Sequence, residues 1–199
     1  SGYDSLSFEE RLGLMVDREL TEKENRRLNS RLRQAKLRQQ ACVENIDYRS
    51  HRGLDKSLMK RLGECLWIKD HQNILITGPC GVGKSFIACA LAHQACLKGY
   101  KTLYTRASRL SEDIAVARGD GNYTQLMNTL ARRQLLVVDD WGLAVLSDQE
   151  RKDLLEIVEE RNELKSMIIT SQLPLEHWHE AIGNATLADA ILDRVIHNA

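Results

Sequence analysis

One stretch constrains this chain more than any other: Gly78-Pro79-Cys80-Gly81-Val82-Gly83-Lys84-Ser85, a complete G-x-x-x-x-G-K-S run. Such a run works only with a strand before it and a helix behind it. The apolar segment Ile74-Leu75-Ile76 leads in, and Phe86-Ile87-Ala88-Cys89-Ala90-Leu91-Ala92 follows with helical character. Glycines at this spacing let backbone N–H groups turn inward around a phosphate, where a Cβ would block the approach. The following helix aims its positive amino-terminal end at the same point. In that geometry Lys84 reaches the β- and γ-phosphates and the Ser85 hydroxyl sits on Mg²⁺. Gly78, Pro79, Cys80, Gly81, Val82, Gly83, Lys84, Ser85 and Phe86 are thus the candidate nucleotide-binding positions, and ATP with Mg²⁺ is the expected cofactor pair.

With 199 residues the chain has room for one substantial domain and a small appendage. Its formal net charge of zero gives no global sign of a nucleic-acid or acidic partner, so any charge argument is local. No apolar stretch reaches the length of a membrane span, and no signal peptide opens the sequence. Ser1-Gly2 resembles a cleavage scar and carries no functional reading. The five cysteines, Cys42, Cys65, Cys80, Cys89 and Cys96, form no C-x-x-C pair. They read as reduced, mostly buried thiols of a cytoplasmic protein rather than as a disulfide or zinc framework. Cys80 lies inside the phosphate loop, where bound nucleotide would shield it from alkylation.

The order of segments predicts an α/β fold: a parallel sheet flanked by helices, preceded by a small all-α domain. Ser7-Phe8-Glu9-Glu10 and Thr21-Glu22-Lys23-Glu24 both have capping-box form, which predicts two opening helices, the second running to about residue 42. That second helix carries Arg26, Arg27, Arg31, Arg33, Lys36 and Arg38 with no acid between them, and the helical repeat puts Arg27, Arg31 and Arg38 on one edge. Such a row is either a solvated face or a track for a phosphate backbone, read without regard to sequence. A linker is expected over 43–53, then a helix over 55–68 with Leu58, Leu62, Cys65 and Leu66 facing inward. Beyond it, strands over 73–77, 102–105, 135–140 and 167–171 alternate with helices over 84–98, 108–118, 123–132 and 148–163. Alternation of that kind means a parallel sheet covered on both faces. Division at residue 45 gives an N-terminal helical domain (1–45) and an ATPase domain (46–199).

Leu135-Leu136-Val137-Val138-Asp139-Asp140 is an aliphatic strand that ends in two carboxylates. Burial on both faces explains the unbroken run, and the acids then emerge at the carboxyl edge, where α/β sheets bind ligands. Asp139 fits a metal position, and Asp140 is placed to orient or deprotonate an attacking water. Thr170 and Ser171 end the next strand and could reach the γ-phosphate or that water. His177, Trp178 and His179 look like a ligand cluster but lack a partnering Cys or Asp, so packing is the better reading. Trp67 reads as core, and Trp141 as packing for the loop that follows the acids. The acids Asp148, Glu150, Asp153, Glu156, Glu159, Glu160 and Glu163 read as the wet face of an ordinary amphipathic helix.

With these segments in hand, the chain resembles the IstB helpers of insertion-sequence transposition. The resemblance rests on the phosphate loop, on Asp139-Asp140-Trp141-Gly142 and on Ile168-Ile169-Thr170-Ser171-Gln172-Leu173-Pro174. It extends to Glu176-His177-Trp178-His179-Glu180 and Leu187-Ala188-Asp189-Ala190-Ile191-Leu192-Asp193-Arg194, and spans about 8–199. IstB belongs to the AAA+ class with the DnaC helicase loader and the DnaA initiator. The resemblance implies a DNA-binding ATPase that assembles on double-stranded DNA as an ATP-bridged oligomer and recruits or stimulates a transposase. It implies a sensor 1 role for Ser171 or Thr170, and makes Arg194 a finger reaching a neighbouring subunit's site. It also makes 108–118 a clade-specific helix, with Arg106, Arg109 and Arg118 as DNA contacts. Lys84, Asp139, Asp140, Ser171 and Arg194 are then the catalytic set. The same machine could serve a replicative helicase, or could hold ATP on DNA without turnover. The class often carries Glu where Asp140 stands, whereas IstB relatives carry Asp there, so the departure does not imply inactivity; the shorter acid is compatible with slow turnover. The sequence stops soon after Arg194, so a fifth core strand and a lid are expected to be missing from it.

Overall fold

The computed structural model describes residues 7–48 and 53–199. Ser1-Gly2 and the 49–52 part of the predicted linker lie outside the described residues.

Three aliphatic runs suit strands inside a covered parallel sheet, and the mixed segment Thr102-Leu103-Tyr104-Thr105-Arg106 joins them as an edge strand. β1 (Ile74–Thr77), β2 (Thr102–Arg106), β3 (Leu135–Trp141) and β4 (Ser166–Ser171) pair in the order β1-β4-β3-β2, all parallel. The two central strands, β3 and β4, are almost entirely buried. Side chains alternate between faces along each strand. Leu135 and Val137 of β3 and Ile168 of β4 join one core cluster; Leu136, Val138, Met167 and Ile169 join the other.

The first cluster is roofed by α4 (Lys84–Leu97), with α2 (Lys56–Gly63) and α3 (Leu66–Lys69) against it. The second is covered by α5 (Ala107–Gly119), α6 (Tyr123–Ala131), α7 (Asp148–Arg161), α8 (Trp178–Ile182) and α9 (Ala185–His197). A buried arginine bolts this second face together. Arg161 of α7 donates to the carbonyls of Leu130, Arg133 and Ser166 at 2.7–2.9 Å, and burial pulls its guanidinium down to about 10.

The amino-terminal reading needs correcting. One helix, α1 (Phe8–Ala35), replaces the two expected. Ser7 does form a capping box with Glu10, but Thr21 lies mid-helix and its hydroxyl donates back to the Asp17 carbonyl at 2.8 Å. A capping pattern with helical sequence on both sides has no free helix end to cap. The helix stops at a left-handed Lys36 (φ 51°), well before residue 42. Arg38 therefore does not lie on it, and Arg27, Arg31 and Arg38 do not form one row. The expected helix over 55–68 is broken likewise: Cys65 adopts φ 59°, separating α2 from α3. That break turns Met59, Trp67 and Ile68 inward with Cys65, while Leu58 and Leu66 are exposed.

The acidic face of α7 is also drier than its composition suggests. Asp153 is buried and pairs with Arg118 of α5; Gln149 donates to it at 2.9 Å. Tyr123 donates to Glu156 at 2.6 Å, and the Arg118 guanidinium lies 3.8 Å from the Tyr123 ring centroid.

Candidate functional site

The phosphate loop leaves the carboxyl end of β1 and enters α4 with Gly83 as its N-cap. Gly81 and Gly83 adopt φ 83° and 97°, a region any Cβ-bearing residue would enter only under strain. Pro79, Cys80 and Gly81 are exposed at the tip. Lys84 is buried, and its ammonium donates to the carbonyls of Gly78 and Pro79 at 2.6 and 2.8 Å. Phe86, one helical position past the hydroxyl, packs half-buried against the core beneath the loop.

Asp139 is fully buried and every edge of its carboxylate is engaged. Its Oδ1 accepts from Ser85 Oγ at 2.9 Å and from Thr170 Oγ1 at 2.5 Å; its Oδ2 accepts from Tyr104 OH at 2.5 Å. Three strands and the loop helix thus meet at one carboxylate. The Tyr104 hydroxyl is held protonated, its pKa driven up by burial and by the Asp139 carboxylate beside it. Ser85 and Asp139 present hard oxygen donors side by side, the donor type Mg²⁺ prefers.

Asp140 sits differently. The β3–β4 register shifts between Val138 and Trp141, and Asp140 takes φ 61°. A non-glycine residue in that region stores strain of order 1–3 kcal/mol, the kind that concentrates at functional sites. The bulge turns the side chain out of the core, and the Asp140 N–H donates to Thr170 Oγ1 at 3.0 Å. Arg106 Nε and Arg38 Nη1 each lie 3.9 Å from its Oδ2. Arg38 Nη1 is also 3.6 Å from Asp139 Oδ2.

The structure separates the two hydroxyls that the sequence left together. Thr170 touches both acids, whereas Ser171 donates to the Trp141 carbonyl at 2.8 Å and accepts from Leu173 N–H at 3.0 Å. Adjacent strand residues face opposite ways, so only one of them can point at Asp139. That one is Thr170, and Ser171 ties down the turn after the acids.

The candidate DNA arginines scatter. Arg27 is exposed on α1, and Arg31 donates to the Cys96 carbonyl at 2.9 Å, joining α1 to α4. Arg109 pairs with Asp113 (2.9 Å) and Glu112 (3.3 Å) on its own helix. Arg118 is committed to Asp153, and Arg38 and Arg106 flank the acids. Arg194 lies far from the loop, beside Asn73 and Asn198 at the edge where β1 and β4 begin. Its Nη2 is 3.0 Å from Glu159 Oε1, and its Nη1 donates to the Ala190 carbonyl at 2.8 Å.

Tyr104 and the site position of Arg38 were not legible beforehand. Both depend on which strand neighbours β3 and on where α1 stops. Trp141 is buried against Trp178, with ring centroids 6.1 Å apart. It forms part of a largely apolar cleft of about 770 Å³ between α5 and α7, with Leu110, Ile114 and Leu154 among its walls. His177 and His179 each face a carboxylate, Glu180 at 3.8 Å and Asp189 at 3.1 Å, rather than each other. All five cysteines are free: Cys65, Cys89 and Cys96 are buried, and burial pushes Cys65 up to about 11. Among the described residues, no helix is long and apolar enough to cross a membrane.

Comparison with known proteins places this site in context. The family described as IstB-like ATP binding protein matches residues 2–199. An insertion-sequence ATP-binding protein of Sinorhizobium fredii is 55% identical over 98% of this chain and 80% of its own length. The IS1162 ATP-binding protein of Pseudomonas fluorescens is 48% identical over 85% of this chain and 74% of its own. Among solved structures, the DnaC helicase loader superposes with a TM-score of 0.64 at 21% identity, covering 77% of this chain and 93% of that one. Replication initiator DnaA, bound to AMPPCP and single-stranded DNA, superposes at 0.66 with 19% identity; 80% of this chain covers 50% of that one. At those identities the likeness is one of fold: the parallel sheet and flanking helices of this chain superpose on those of DnaA and DnaC.

Proposed function

Because the chain belongs to the IstB-like ATP-binding family, we propose that it is an ATP-hydrolysing helper of insertion-sequence transposition. In this reading it assembles on double-stranded DNA with ATP between subunits and recruits or stimulates a transposase. The observation that carries the ATPase part is the meeting of Ser85, Asp139 and Thr170 within hydrogen-bond reach, beside the Lys84 loop and the turned-out Asp140. The relatives at 55% and 48% identity, both named as insertion-sequence proteins, favour transposition over helicase loading.

Each group has a task. The N–H groups of the loop and Lys84 hold the β- and γ-phosphates, for which Lys84 gives up its two carbonyl partners. Ser85 and Asp139 would hold Mg²⁺, which when bound neutralises phosphate charge. Asp140 lies at the carboxyl edge with its side chain turned from the core, where it orients water or accepts its proton. Thr170 bridges the acids and keeps both in register. Arg194 is at the wrong edge of the sheet to serve its own subunit, so its role as a finger belongs to a neighbour's site; leaving Glu159 is the cost of that role.

The test is sedimentation and ATP turnover with duplex DNA present and absent. The expected result is ATP-dependent assembly on DNA with stimulated hydrolysis, and loss of nucleotide binding by at least tenfold in Lys84→Ala. A Lys84→Ala variant that binds and hydrolyses ATP like the parent removes the site assignment.

A further inference from the structure

We propose that Arg38 stands in for the divalent cation at the acid pair when nucleotide is not bound, and transfers to the triphosphate when Mg-ATP enters. The proposal rests on the ATP-site reading above and adds a residue to it.

Arg38 bridges both acids: its Nη1 lies 3.6 Å from Asp139 Oδ2 and 3.9 Å from Asp140 Oδ2. Arg106 approaches Asp140 at 3.9 Å, leaving Arg38 nearest to the buried carboxylate. A fully buried carboxylate with a second acid as its chain neighbour is costly without positive charge nearby. One guanidinium supplies that charge where the cation held by Ser85 and Asp139 would supply it otherwise. An arginine guanidinium stays protonated in proteins, so Arg38 keeps its charge throughout.

The two sources of positive charge compete. A cation on Asp139 repels a guanidinium a few ångströms away, and the triphosphate that arrives with it attracts that guanidinium. Arg38 is free to respond, because its side chain is 45% exposed while its backbone is pinned. Ala35 and Ala41 are buried on either side, and the left-handed Lys36 fixes the turn out of α1. Leu37, next to it, packs on the core cluster under α4. The side chain can therefore swing from the acids toward the loop while the segment from which α1 projects stays in place.

The test uses parent, Arg38→Gln, Arg38→Lys and Lys84→Ala proteins. Mn²⁺ binding without nucleotide is measured by electron paramagnetic resonance, and Mg-ATP binding with a fluorescent ATP analogue. Arg38→Gln is expected to bind Mn²⁺ roughly tenfold more tightly and Mg-ATP roughly tenfold more weakly, the size of one charged contact. Arg38→Lys is expected to fall between Arg38→Gln and the parent on both scales. A purely structural role would weaken both ligands or neither, so shifts of the same sign, or none, overturn the proposal. Lys84→Ala separates the two levels of argument. If it binds ATP like the parent, the site reading fails; if it loses ATP while Arg38→Gln changes nothing, only the role of Arg38 fails.

Discussion

Asp140 shows how much chemistry can depend on one backbone angle. At φ 61° it leaves the alternation of β3, so its neighbour Asp139 stays in the core while its own carboxylate reaches the surface between two arginines. Two adjacent acids in a regular strand would simply face opposite sides of the sheet. Asparagine tolerates that region at least as well as aspartate, so Asp140→Asn isolates the acid from the turn. It should keep ATP affinity within about twofold and lower turnover by roughly 10²–10⁴, the range for loss of a general base. Thr170→Val should likewise reduce turnover with ATP retained, because it frees both acids from their shared hydroxyl. Ser171→Ala should lower thermal stability instead, through the Trp141–Leu173 turn. Steady-state kinetics beside a nucleotide titration and a melting curve sorts the three. If Ser171→Ala abolishes turnover without loss of stability, Thr170 and Ser171 do not divide the labour in this way.

At the scale of elements, the helices on one face of the sheet are joined by polar groups that look solvated in sequence. Arg118 of α5, Tyr123 of α6 and Asp153 and Glu156 of α7 make one cluster across three helices. A cationic residue near the end of α5 invites a DNA-binding reading, yet Arg118 already compensates a buried acid. Breaking such a pair leaves the partner charged and dry. Arg118→Ala is therefore expected to lower the melting temperature by several degrees and leave DNA affinity at matched salt unchanged. Arg109→Ala, which breaks only exposed pairs within α5, should leave the melting temperature within about a degree and make the salt dependence of DNA binding shallower. Equal behaviour of the two variants in both assays would dissolve the distinction. α1 follows the same rule in reverse. Its carboxyl-terminal part is fastened by Arg31 to α4, whereas Phe8, Met15 and Leu20 are exposed. The capping boxes at Ser7 and Thr21 cannot be told apart as sequence, since what distinguishes them is whether the chain before them is helical.

For the whole molecule, the decisive distance is the one between Arg194 and the phosphate loop, at opposite edges of the sheet. Under the proposed function, an arginine so placed would act only between copies. Arg194→Ala should retain ATP binding and lose hydrolysis by roughly 10³–10⁵. Mixed with Lys84→Ala, whose own site is dead but whose finger is intact, it should recover part of the activity through hybrid interfaces. Turnover assays on mixtures of defined ratio check this, and the absence of any recovery would argue against a shared site.

What the residues alone determined was the set of local rules. The glycine and lysine spacing of the loop, three aliphatic runs alternating with helical segments and a pair of acids at a strand end gave the α/β sheet, its parallel sense and the centre of the candidate site. Those features are legible because each follows from contacts within a few residues or from burial on two faces. Only the folded arrangement decided the rest. It broke the expected helix at Cys65, carried Arg38 off the helix and onto the acids, chose Thr170 over Ser171, and brought Tyr104 to Asp139. It also committed Arg118 to Asp153. Each of these depends on which strand lies beside which and on charge neutralised across elements far apart in the chain. Such pairings are settled by the energy of burying polar groups together, which no local pattern of residues records.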